Sequence, residues 1–161
     1  MASVIVALHA LAGAIFLGAL IGRWILLGLA ERATTLPEME HLTSAARPFE
    51  RIVIVGSVIV LVLGVTAAIA QGRPFLGPLQ GSRVDWLFVS VILYVTIIPL
   101  VPLVFVPAGK IFDEALGGAR SRGAVTPELV AAWRAPRVRA AHVYELGAVT
   151  AIFLLMVGKP F

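Results

Sequence analysis

Residues 6–27, VALHALAGAIFLGALIGRWILL, decide the fold class. Apart from His9 and Arg23 the stretch is apolar and uncharged, and it is long enough to cross a bilayer at about 1.5 Å of rise per residue. An ionisable side chain inside hydrocarbon costs several kcal/mol, roughly, unless it is paired, hydrated or bonded. The two exceptions therefore raise the functional question together with the structural one.

Working outward, 52–70 and 86–109 contain no Asp, Glu, Lys, Arg or His, and 140–158 contains only His142 and Glu145 of these. The chain of 161 residues is 60% hydrophobic and 14% charged, with a mean hydropathy of +0.99. A soluble domain carries about 25% charged residues. The expectation is an all-α integral membrane protein: one four-helix bundle over 1–161, up-down and antiparallel, with spans near 3–29, 52–71, 86–108 and 140–158. The apolar opening is too long for a signal h-region and has no basic residue before it, so it is expected to remain as a span.

Charge placement sets the expected orientation. Arg23, Arg32, Arg47, Arg51, Lys110, Arg120, Arg122, Arg134, Arg137 and Arg139 flank the first and third connections, against Arg73, Arg83 and Lys159 on the opposite side. That bias places the two basic connections in the cytoplasm and both termini outside. The net charge of +4 is thus accounted for by topology, and no aromatic-interleaved basic motif points to nucleic acid. With no cysteine, thiolate metal sites, disulfides and cysteine nucleophiles are excluded.

The helices are expected to continue into the cytoplasm. Thr35 with Glu38 forms a capping-box pattern and Pro37 suits a first turn, so the second helix starts near Leu36 and kinks at Pro48. Thr126 and Pro127 repeat the pattern before the fourth helix, which bends near Pro136. The third helix is expected to run past Pro99, Pro102 and Pro107 to about Leu116, with GGARSRG (117–123) as the turn. The proline run reads as a bent helix or a gate. Trp86 is placed at one membrane interface, and Trp24 and Trp133 near the other.

At 100° per residue His9, Gly13, Phe16, Leu20 and Arg23 share one face of the first helix, with Gly18 and Gly22 nearly opposite as a GxxxG packing face. Imidazole is a standard haem ligand, and Gly13 one turn away leaves room for a macrocycle. His9 is read either as an axial ligand of haem b, with Arg23, Arg51 and Arg139 as propionate partners, or as a neutral residue bonded to a neighbouring helix. In the last span Arg139, His142 and Glu145 form one polar stripe. Glu145 is expected to face the interior with Arg23 or Arg51 as partner, either as a proton relay or as a structural ion pair.

A shared metal site is not expected. Glu38 and His41 have the spacing of a di-iron ligand pair, but His142 lies roughly 18 Å deeper along parallel helices. His41 is read as solvated.

The segments LHALAGAIFLGALIG, DWLFVSVILYVTIIPLVP and LLMVGKPF together resemble a family of small bacterial four-span membrane proteins defined by a domain of unknown function. His9, Trp86, Tyr94 and the ending Met156 to Pro160 are its distinctive positions. More distantly the plan is similar to HemJ-type protoporphyrinogen oxidases and CopD-like proteins, which implies a haem ligand at His9, matched by Arg23 and GKPF. The HemJ type has a lysine in the third span and an Asn-Glu-x-Pro motif entering the last. Here Ser90 follows Trp86, and HVYELG keeps only Glu145. Two functions remain open: a haem-binding or haem-handling redox protein, or a cofactor-free accessory subunit or small oligomeric transporter.

Overall fold

The computed structural model describes residues 2–160 and is built from helices. They are α1 (Ala2–Ala30), α2 (Leu36–Ala70), α3 (Trp86–Ile97), α4 (Val106–Arg122), α5 (Pro127–Trp133) and α6 (Pro136–Gly158). A 3-10 turn covers Gly77–Gln80 and a π-helical turn covers Val101–Phe105. Four helical stretches are long and apolar enough to cross a membrane: Ala2–Ala30, Leu36–Ala70, Trp86–Arg122 and Pro127–Gly158. Phe161, which closes the GKPF ending, and Met1 lie outside the described residues.

The distribution of apolar surface identifies the solvent. Within the most apolar window of each span only 11–22% of residues are buried, so large side chains such as Val4, Ile69 and Leu154 point outward. A water-soluble bundle would bury that face; a bilayer accepts it. α1 packs along α2, α3 along α6, and α1 touches α6, which closes the bundle.

Three apolar layers run along it. At one end Trp86, Leu87 and Ala68 pack with Phe75, Leu155 and Met156. The middle layer is Phe16, Ala19, Leu20, Val53, Ile97, Ala148 and Val149. The third, of Leu36, Met39, Leu116, Ala119 and Leu129, lies at the basic end. In this last layer α2, α4 and α5 carry a small core of their own.

The caps decide the local boundaries. Thr126 accepts a hydrogen bond from the Leu129 N–H at 3.3 Å, and Pro127 opens α5 as expected. At the start of α5 the Glu128 carboxyl is held below the usual carboxylate range, first by its own backbone N–H and then by the Thr126 hydroxyl. The helix breaks at Arg134 and Ala135 and resumes at Pro136.

Thr35 occupies the N-cap of α2 but makes no side-chain bond, so the capping box anticipated there does not form. GGARSRG is helical rather than a turn: α4 runs to Arg122, and the left-handed Gly123 (φ 67°) ends it. The third span runs helically past its prolines from Trp86 to Arg122, as expected, but not with one regular hydrogen-bond pattern. The α-helical ladder of α3 stops at Ile97, a π-helical turn covers Val101–Phe105 among the prolines, and α-helix resumes at Val106. Trp86 is 8% exposed and packs in the end layer at the start of the third span.

Candidate functional site

Arg23 leaves the buried stripe of α1 that also carries Phe16 and Leu20. Its guanidinium meets Glu145 and His142, one helical turn apart on α6. Arg23 Nη2 donates to Glu145 Oε2 and lies 3.4 Å from His142 Nδ1, while His142 Nδ1 is 3.9 Å from Glu145 Oε2. Arg23 and Glu145 are both buried, and the His142 side chain keeps 21% of its surface exposed. Charge is thus sealed inside the bundle while the imidazole reaches from the pair toward the outside.

A fourth residue completes the cluster. Phe105, the last residue of the π-helical turn, stacks on the His142 ring at 4.6 Å with an interplanar angle of 25°. The same ring receives Arg23, whose Cζ is 5.7 Å from its centre. The backbone around Phe105 is irregular because Pro99, Pro102 and Pro107 interrupt the ladder. Arg137 Nη2 of α6 reaches the Leu103 carbonyl at 3.4 Å, which serves one group near the break. π-helical turns inside spans often sit at functional sites. Phe105 was not anticipated from sequence; three prolines within nine residues were the available signal.

The remaining expected site residues fall elsewhere. Arg51 is exposed on α2, away from the cluster. Arg139 is exposed and donates to Glu31 at 3.2 Å, and Arg134 Nε lies 3.6 Å from the same carboxylate. His41 is exposed at the basic end. Among the described residues no group of three His, Asp or Glu is placed to hold a metal ion.

His9 sits in the seam between α1 and α2. A Cβ added to Gly64 would come within 2.9 Å of His9 Cε1, so the imidazole occupies the space that the missing side chain leaves. His9 Nδ1 is buried without a hydrogen-bond partner in the chain. The same interlocking recurs along the seam: Phe16 lies over Gly56, and Phe49 of α2 fills the notch at Gly22. Gly22 therefore receives a helix of its own chain. At Gly18 and Gly13 an added Cβ would meet nothing within 4 Å.

A macrocycle on His9 from the Gly64 side would displace α2, and on the Gly13 side nothing of this chain stands above it. Of the arginines available to propionates, Arg23 and Arg139 already hold carboxylates of the protein.

Comparison with curated proteins and with solved structures finds no match. A family model does match, over residues 3–160, and its description is that of a predicted integral membrane protein, in agreement with the four spans and their outward apolar faces. The chain belongs to this family of integral membrane proteins, DUF2269.

Proposed function

We propose that this protein is a proton-coupled membrane protein that works without a prosthetic group, with Arg23, His142 and Glu145 as its protonation-sensitive centre. It lies in the cytoplasmic membrane with its basic end inside, following the charge bias. The observation that carries the reading is the position of His142. It is the partly exposed member of a buried charge cluster and stands within reach of both charges at once.

Arginine keeps its proton, so the exchangeable protons belong to His142 and Glu145. In neutral His142 the Nδ1 lone pair accepts from Arg23, which leaves the proton on Nε2. When Nδ1 is protonated it no longer accepts, and its only close acceptor is Glu145 Oε2. Two cations then share one carboxylate, and the cluster changes from net neutral to +1. Arg23 loses one of its acceptors, and Phe105 now faces two cations instead of one. Both changes bear on the contact between α1 and α6 and on the proline-flanked turn that ends at Phe105. Other charged groups on the packed elements, Glu31 with Arg134 and Arg139, pair among themselves toward the basic end.

The test is proton exchange in proteoliposomes loaded with a pH-sensitive dye and subjected to an external acid step. Wild type is expected to respond faster than empty vesicles, and Glu145→Gln and His142→Gln to abolish the difference while keeping wild-type helix content. Variants that respond like wild type would remove the proton-coupled role.

A further inference from the structure

The opposite end of the bundle holds a second concentration of charge, independent of Arg23. α2 and α6 finish at the same level, since Ala68 of one and Leu155 and Met156 of the other share the layer around Trp86. Each places a cation just beyond its last turn. The Arg73 N–H donates to the Ala68 carbonyl at 2.9 Å after the left-handed Gly72, and the Lys159 N–H donates to the Leu155 carbonyl at 2.9 Å. Both side chains return to the same indole: Arg73 Cζ is 5.6 Å and Lys159 Nζ 5.7 Å from the Trp86 ring.

Lys159 does this from an unfavourable backbone. Among the described residues it is the one non-glycine residue with positive φ (44°), at a helix-terminal position where glycine is the usual choice. The backbone at this position would favour glycine over a residue with a side chain.

No side chain among the described residues neutralises the pair. Among the described residues no side-chain carboxylate lies within 4 Å of either cation. Asp85, next to Trp86, accepts from the Phe88 N–H at 2.9 Å as the cap of α3. Each helix C-terminus supplies about half a negative charge, so the two together offset about one of the two positive charges. An indole face attracts cations but carries no net charge. Trp86 opens the third span, so the pair lies at headgroup level.

We infer that Arg73 and Lys159, held against Trp86, bind the phosphate of an anionic phospholipid headgroup. The full chain in detergent is titrated with phosphatidylglycerol, phosphatidylcholine and inorganic phosphate, and bound species are counted by native mass spectrometry. Phosphatidylglycerol is expected to be retained preferentially. Arg73→Gln and Lys159→Gln should each weaken its binding about fivefold, the effect of one interfacial charge. Lys159→Arg should retain binding, and Arg83→Gln, in the same connection but away from the indole, should leave it unchanged. Lys159→Gly removes the cation while suiting the backbone, so its loss of lipid cannot be ascribed to misfolding. Equal phosphatidylglycerol binding by wild type and the Arg73→Gln/Lys159→Gly double variant would overturn the assignment. Displacement of the lipid by inorganic phosphate at matched concentration would also overturn it, because the occupant would then be a soluble anion.

Discussion

Arg23 and Glu145 stand 122 residues apart in the chain and meet inside the apolar part of the bundle. Their contact joins α1 to α6, and so joins the helix pair α1–α2 to the pair α3–α6. Removing one partner strands the other as an uncompensated buried charge, which costs about 3–5 kcal/mol. Arg23→Ala and Glu145→Ala are each expected to lose stability on that scale in a detergent unfolding titration. The apolar double variant Arg23→Met/Glu145→Leu should lose far less than the sum. Simple additivity would show that the two charges are not energetically coupled.

The seam between α1 and α2 makes a second prediction. A methyl group at Gly64 collides with His9, so Gly64→Ala should destabilise by about 1–3 kcal/mol, as overpacking does. In a His9→Ala background the same change should be nearly neutral or favourable, because the added Cβ then fills the space the imidazole vacated. The unfolding midpoints of the four proteins in this cycle measure it.

The packing of His9 also bears on colour. Purified protein incubated with haemin and passed over a desalting column is expected to show no Soret band that depends on His9. A band in wild type that His9→Ala removes would mean that α1 and α2 separate to admit a macrocycle.

The two threonine caps are expected to differ. Thr126→Ala should cost about 1 kcal/mol, because it strands the buried N–H of Leu129. Thr35→Ala should change stability little, since the Thr35 side chain makes no cap bond. Thermal unfolding followed by circular dichroism distinguishes them.

Much of this was legible in the sequence. Length and hydropathy marked four spans, and Thr126, Pro127 and Pro136 marked the start and break of the last helical run, because caps and prolines act locally. The meeting of Arg23 with Glu145 was one of two pairings foreseen, since buried opposite charges at similar depth have few alternatives. His9 over Gly64 was not visible: a helical projection orders residues on one helix but says nothing about which glycine of its neighbour will receive them. Phe105 was hidden for a related reason. Regular periodicity fails across Pro99 to Pro107, and with it the means of assigning a face. The cations on Trp86 were read only as topology signals, because their convergence depends on where two distant helices end.

The central claim is that protonation at His142 is felt by the helices around it. The chain has no cysteine, so paired spin labels can be introduced without background, at Arg32→Cys beyond α1 and Lys110→Cys on α4, across the proline-flanked turn. Their distance distribution, measured in lipid at a series of pH values, is the most direct test. A reversible shift that His142→Gln and Glu145→Gln both abolish is the predicted result. A distribution that does not change with pH, or that changes equally in both variants, would contradict the account.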